Sequence, residues 1–266
     1  MTENMIKLAL FDIDGTLYDE KNRAYPASAV KALKKLHDNG ILVAAATGRP
    51  PFTAAALRQV GIPLDYLVCS NGHLVLDGGG TVLESKVFPP EMSQEVWDYC
   101  RKHRIGLLWK YPDCTYVYRN DPEFDKIFAK GAKKASGVFY DNQRVHLSRF
   151  PNGGCLACGP ETLEDFNCQF AGRCRGVDIN GRSSDLILWN VDKRSGVELL
   201  LDRLGIGREE CIAFGDNRND MEIIRYVGIG VAMGNGEEEL KRVSSYVTAA
   251  VDDDGIRKGL EHFGLI

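Results

Sequence analysis

The sequence predicts an α/β protein whose mainly parallel sheet is interrupted by a smaller α+β insertion, and three observations carry that prediction. Short apolar runs alternate with helix-patterned stretches at both ends of the chain, over residues 1–85 and 187–266, as strand–helix–strand units do. The alternation breaks after Phe88-Pro89-Pro90, where a helix and a series of short strand-like runs follow instead. Polar clusters rich in acidic residues and glycine stand where apolar runs end, which is where open α/β sheets place their ligands.

Taken in order, a strand is expected over 5–11 and a helix over 26–38. Val30, Leu33 and Leu36 give that helix an apolar stripe, and Asn39-Gly40 supplies its stop signal. A strand over 41–46, a helix over 52–60 and a strand over 66–70 continue the pattern. The runs 73–76 and 81–83 flank Asp77-Gly78-Gly79-Gly80, a turn able to take positive φ, and read as a hairpin. A helix over 91–103 then leads into strands over 106–110 and 115–118, with another helix and short strands reaching to about residue 188. The last part returns to alternation, with a helix over 194–204, a strand over 211–214, a helix over 220–226, a strand over 228–232 and two short helices beyond. A Rossmann-like core from residues 1–85 and 187–266, with 86–186 inserted through a surface loop, explains this order. The basic stretch 130–134 reads as a solvated helix end.

At 266 residues, 44% hydrophobic, the chain can bury one large core or two ordinary ones. Lys and Arg number 33 against 37 Asp and Glu, a net charge of -4 that gives a nucleic-acid footprint no overall support. A small anionic ligand therefore needs a local basic site. No apolar run is long enough to cross a bilayer and the N-terminus lacks a signal-peptide core, so the expected location is cytoplasmic. The eight cysteines fit that compartment as reduced thiols, since Cys69, Cys155 and Cys211 lie in apolar, strand-like runs. Cys155-x-x-Cys158 with Cys168 and Cys174 has the thiol count of a zinc site, but Leu156 and Ala157 read as strand, not as a zinc-knuckle turn.

The run Phe11-Asp12-Ile13-Asp14-Gly15-Thr16 carries the chemistry. Strand periodicity puts Asp12 and Asp14 on one side, and Gly15 lets the chain turn away. Two carboxylates so close repel each other unless a divalent cation sits between them or one holds a proton. A chance match to the four fixed positions is expected at about one site in 10^5. Thr47-Gly48-Arg49 follows the next core strand, where a hydroxyl and backbone N–H groups can bind phosphate oxygens. Lys193 stands where the chain re-enters the core, and its ammonium can offset the repulsion between a phosphate dianion and a carboxylate. Gly215-Asp216-Asn217-Arg218-Asn219-Asp220 adds further carboxylates, so that Asp12, Asp216 and a backbone carbonyl of Asp14 suit Mg2+.

Together, Asp12-x-Asp14-Gly15-Thr16, Thr47-Gly48-Arg49, Lys193-x-x-Gly196 and Gly215-Asp216-x-x-Asn219-Asp220 resemble the four ordered motifs of the haloacid dehalogenase-like superfamily. Ser70-Asn71-Gly72 before a hairpin, the position of the insertion, Met233-Gly234-Asn235 and Asp254-Gly255-Ile256 are similar to its Cof-type, subfamily IIB phosphatases with a C2 cap. The resemblance implies Asp12 as nucleophile and Asp14 as general acid, then base. It implies Thr47, Gly48, Lys193 and Asn219 at the phosphate, and Asp12, Asp14, Asp216 and Asp220 about Mg2+, with Asp220 either a direct ligand or one step removed.

The implied reaction is hydrolysis of a small phosphorylated metabolite, a sugar phosphate first, through an aspartyl-phosphate. Asp14 and the acidic fourth motif argue against a dehalogenase, whose leaving group needs neither proton nor metal. A phosphomannomutase-like phosphotransferase and a catalytically silent phospholigand-binding protein share the motifs and stay open as alternatives. His73, where the family often has a small residue, reads as surface at the cleft edge, with a role at the leaving group as the sharper option. Specificity is expected from residues 104–119 and 155–182, where Trp109, Tyr111, Tyr116 and Tyr118 read as ordinary sheet residues before ligand-stacking ones.

Overall fold

The computed structural model describes residues 5–119, 137–140 and 142–266. Its first sheet takes strands from both ends of the chain: β1 (Leu8–Phe11), β2 (Leu42–Ala46), β3 (Tyr66–Cys69), β4 (Leu74–Asp77) and β5 (Val82–Ser85). A second sheet takes β6 (Gly106–Lys110), β7 (Thr115–Arg119), β8 (Val138–Phe139), β9 (Gly154–Ala157), β10 (Cys174–Asp178) and β11 (Ser183–Leu188). Then β12 (Cys211–Gly215), β13 (Ile229–Ala232) and β14 (Tyr246–Val247) return to the first.

The order in the first sheet is β14-β13-β12-β1-β2-β3-β4-β5, parallel as far as β3 and antiparallel through the closing hairpin. The central strands β1, β2, β3 and β12 read as continuous apolar runs because both faces are covered. Ala9, Phe11, Val43, Ala45 and Leu67 pack on one side with Leu33 and Leu36 of helix Ala27–Asp38 and Ile256 and Leu260 of helix Gly255–His262. Leu8, Leu10, Ala44, Ala46 and Val68 pack on the other with Val197, Leu200 and Leu201 of helix Lys193–Leu204 and Ile223 and Ile224 of helix Met221–Tyr226. Alternate residues of each strand thus serve alternate layers, as the strand period requires.

The second sheet runs β10-β11-β9-β6-β7-β8, antiparallel except for the β7–β8 pair. One face, with Leu107, Trp109, Leu156 and Leu186, is covered by helices Pro90–His103 and Pro160–Gln169 through Val96, Cys100, Leu163 and Phe166. The opposite face carries Leu108, Val117, Cys155 and Ala157 and turns toward the first sheet.

Three local expectations change. The helix expected over 52–60 is two short ones, Pro51–Ala54 and Ala56–Gln59, because ψ of -17° at Ala55 tightens the next turn into an Arg58 N–Ala55 O bond. The two-residue strand Tyr246–Val247 falls between the two closing helices and has too little pattern to read in sequence. His73 is fully buried, not surface: its Nδ1 donates to Ser70 O (2.7 Å), its Nε2 accepts from Leu188 N (3.2 Å), and its ring stacks on Phe88. It therefore sits where the chain leaves the first sheet and where it comes back. The basic stretch 130–134 lies outside the described residues.

Candidate active site

In the first sheet β2 and β12 flank β1 and the chain order runs outward on either side, so a crevice opens at the C-terminal end of β1, the switch point where such sheets bind ligands. Asp12, the first residue past β1, points into it. Its backbone N–H still bonds Phe214 O (3.0 Å), which fixes the carboxylate relative to β12. Gly15 turns the chain with φ of 82°, and a Cβ there would run into the Asp216 carboxylate, so both backbone conformation and space demand glycine. Thr16 Oγ1 then donates to Asp216 Oδ1 (2.9 Å), and Asn235 Nδ2 holds Gly15 O (2.8 Å), tying the first acidic loop to the fourth.

Lys193 opens a helix whose N-terminus is closed by Asp192, which accepts from Ser195 N (2.8 Å) while Ser195 Oγ accepts from Asp192 N (3.1 Å). That cap aims the lysine inward. At 1% exposure its Nζ bridges Asp12 Oδ1 and Asp220 Oδ1, 2.6 Å from each. The helix start comes close enough because Gly72 and Gly196 meet without side chains, a Cβ on Gly196 falling 2.7 Å from Gly72 Cα. The Gly of Lys193-x-x-Gly196 is thereby explained as a packing requirement.

Asp12, Asp216 and Asp220 each offer an oxygen, all within 4.8 Å of one another. Burial raises the pKa of Asp12 and of Asp216, and the repulsion of Asp12 by Asp220 and of Asp216 by Asp12 raises them further, with Lys193 opposing. A donor set of oxygens alone, carrying more negative charge than one lysine offsets, fits a hard divalent cation. Asp220 has a second duty, since its Oδ2 accepts from Asp216 N and Asn217 N (3.1 Å each) and so shapes the loop that presents Asp216.

The Asp14 carboxylate stands apart from this triad. Arg49 forks onto it, with Nε to Oδ2 at 2.8 Å and a second short bond from the other arm, and lies over the Tyr18 ring. Any share of Asp14 in a metal shell is thus left to its backbone carbonyl. Thr47 is fully buried, and its Oγ1 accepts from Arg49 N (3.1 Å), which leaves the hydroxyl proton for a ligand. Asn219 Nδ2 spends one hydrogen on Asn71 Oδ1 (3.2 Å), with a second to give.

A cavity of about 630 Å³ lies over these groups, walled by both sheets. The first contributes Asp12, Asp14, Thr47, Gly48, Arg49 and Asn219; the second contributes Leu108, Lys110, Thr115, Val138, Cys155, Val177 and Asp185. Lys110 and Asp185 form a buried ion pair (2.6 Å), and Lys110 Nζ also donates to Gly48 O (2.9 Å). Sequence reasoning named the segments that hold Lys110 and Cys155 but neither Lys110 nor Asp185 as such. The available signal was a lysine and an aspartate inside otherwise apolar strands. Trp109, Tyr111 and Tyr118 are buried in the second sheet's own core rather than in the cavity.

The four-cysteine zinc option does not form. Cys155 lies beside Asp185 in the cavity, Cys158 is half-buried, Cys168 is exposed and Cys174 is buried beneath the helices, all as free thiols. Among the described residues the group placed to hold a metal is the aspartate triad. No helix among them is long and apolar enough to cross a membrane.

Comparison with known proteins agrees with this fold. The 5-amino-6-(5-phospho-D-ribitylamino)uracil phosphatase of Bacillus subtilis is 26% identical over 98% of this chain and 96% of its own length. A Streptococcus pyogenes protein provisionally named as a bifunctional phosphatase/peptidyl-prolyl cis-trans isomerase is 29% identical over 98% of this chain, which spans only 54% of that longer protein. The solved structure of a sugar phosphatase of subclass IIB superposes with a TM-score of 0.88 at 26% identity, covering 98% of this chain and 100% of that one. The model of the haloacid dehalogenase-like hydrolases matches residues 9–260, and the chain belongs to that family.

Proposed function

We propose that this chain is a Mg2+-dependent phosphomonoester hydrolase that works through an aspartyl-phosphate on Asp12, with residues 86–186 as a cap over a core made of 1–85 and 187–266. The observation that supports it most is the convergence of Asp12, Lys193 and the triad at the end of β1, with Asp14 at the same cavity. Asp12, Asp216 and Asp220, with a backbone carbonyl of Asp14, would hold the cation, which when bound supplies positive charge to the phosphoryl oxygens.

The Asp12 carboxylate attacks phosphorus in line, the ester P–O bond breaks, and Asp14 gives its proton to the leaving alcohol. Asp14 next takes a proton from the water that attacks the aspartyl-phosphate, and inorganic phosphate leaves with Asp12 regenerated. Since Arg49 forks onto both oxygens of the Asp14 carboxylate, the substrate must draw Arg49 away before Asp14 can carry the proton. Lys193 keeps Asp12 aligned, while the Thr47 hydroxyl, the Gly48 backbone and the Asn219 amide receive phosphoryl oxygens.

For the leaving group, sugar phosphates come first from the motif resemblance and from the sugar phosphatase of similar fold. Leu108, Val138 and Val177 on the cap wall favour a second class, phosphate esters carrying a flat heterocycle, such as the relative's ribitylaminouracil. Release of phosphate from p-nitrophenyl phosphate, with and without Mg2+ and in wild type beside Asp12→Asn, tests the assignment. Metal-dependent turnover lost in the variant is expected; equal rates for the two proteins would remove Asp12 as nucleophile. Transfer of the phosphoryl group to a second sugar phosphate in place of water would favour the phosphotransferase alternative.

A further inference from the structure

The cap reaches into the phosphate site through buried polar bonds that the proposed reaction does not use. Lys110 ends β6 and Asp185 lies in β11, two strands away in the sheet, with Cys155 of β9 between them. Their side chains point toward the core at 7% and 5% exposure, a placement that two charged residues hold only when paired. Among the described residues, the side-chain contacts of Lys110 and Asp185 beyond the pair, the Cys155 thiol aside, are with core loops. Lys110 Nζ donates to Gly48 O (2.9 Å), the carbonyl of the peptide whose N–H bonds Thr47 Oγ1 (3.1 Å). The Asn71 amide and the Asp185 carboxylate stand side by side against Gly48, and Asn71 Oδ1 accepts from Asn219 Nδ2 (3.2 Å). Gly48 completes the fit, because a Cβ there would lie 3.1 Å from Asp185 Oδ2 and 3.3 Å from Asn71 Nδ2.

We propose that Lys110 and Asp185 are positioning residues, a cap-borne ion pair that sets both phosphate-holding arms of the core, Thr47–Arg49 through Gly48 O and Asn219 through Asn71. They touch neither substrate nor reacting atoms. Phosphate affinity then depends on the cap being seated, whatever alcohol the phosphate carries. This rests on the phosphatase assignment for its kinetic arm and on phosphate binding alone for its other arm.

The test replaces the pair in two ways: Lys110→Met with Asp185→Leu, which removes charge and hydrogen bonds at similar volume, and Lys110→Gln with Asp185→Asn, which removes charge and keeps donors and acceptors. Binding of inorganic phosphate in the presence of Mg2+ is measured by calorimetry, and kcat/KM with p-nitrophenyl phosphate and with a larger phosphomonoester. The apolar pair should weaken phosphate about tenfold and lower kcat/KM about ten- to a hundredfold, by one factor for both esters. The amide pair should recover most of each loss. Unchanged phosphate affinity, or a loss confined to the larger ester, overturns the proposal and makes the pair a structural or leaving-group contact. If the apolar pair does not melt cooperatively, Gly48→Ala, which pushes Asp185 and Asn71 from the other side, must weaken phosphate in its place. A wild type that binds phosphate but hydrolyses no ester ends the phosphatase reading and leaves the binding arm to decide this one; a wild type that binds none overturns both.

Discussion

The two walls of the cavity are built by different rules. On the core side each residue proposed to act stands within a few positions of a strand's end or at a helix start, so a short motif such as Asp12-Ile13-Asp14-Gly15-Thr16 carries both a strand terminus and the chemistry proposed for it. On the cap side the wall is a row across a sheet. Val177, Asp185, Cys155 and Leu108 are cross-strand neighbours from four strands, brought together by register. Loops at strand ends can fix a reaction, since small local changes leave the sheet intact, whereas a sheet face changes its chemistry one isolated residue at a time. The core, with the Lys110–Asp185 pair that braces its loops, should therefore govern whether any ester is cleaved, and the apolar part of the cap wall which one.

The sharpest way to break that division is at Lys193. Lys193→Met removes the cation that joins Asp12 to Asp220, and phosphate release should fall by about 10^3 for every ester, the scale of losing a preorganised charge at the transition state. A loss that differs widely between esters would place Lys193 at the leaving group instead. Chelation with EDTA should abolish turnover, and saturating Mg2+ should raise the melting temperature, because a ligand held only by the folded triad stabilises by mass action, about 3 kcal/mol at a hundred times Kd. A melting curve indifferent to Mg2+ would contradict the site.

A smaller effect is expected at the junction of the two walls. Burial lowers the His73 pKa from its ordinary 6.5 to about 4. Between those values the unfolded chain binds the proton more readily than the folded one. Stability is therefore fully present above about pH 6.5 and is lost as pH falls toward 4, by about 3 kcal/mol in all. Urea melts from pH 7 to pH 4 should show that slope and His73→Gln should flatten it; an unchanged slope would take His73 out of the account. The smallest effect belongs to the cap wall. Val177→Ala trims an apolar side chain at the cavity and should shift kcat/KM between two esters by about tenfold with little change in melting temperature. Equal losses on all esters would mean that Val177 acts through the core.

Legibility in the sequence follows the same division. Asp12, Thr47, Lys193 and Asp216 were visible because strand-end loops place sequence neighbours in one crevice. So was the strand–helix alternation of the core, since the apolar runs of β1, β2, β3 and β12 are covered on both faces and stand out against their helices. Lys110 and Asp185 were not, being lone charges in apolar strands whose meaning depends on β9 lying between them. His73 was misplaced to the surface because a histidine after Asn71-Gly72 looks like a turn residue. Its burial follows from the returning chain at Leu188, more than a hundred positions on. The Asp14–Arg49 fork joins residues of two motifs, each legible alone, through a contact that spacing does not announce.

The most direct test of the division between core and cap is a matrix of kcat/KM for wild type, Asp12→Asn and Val177→Ala across a panel of sugar and heterocycle phosphomonoesters. The account predicts that Asp12→Asn removes turnover of every ester while Val177→Ala reorders the panel. Residual turnover of any ester by Asp12→Asn at the wild-type rate, or a uniform loss across the panel in Val177→Ala, would contradict it.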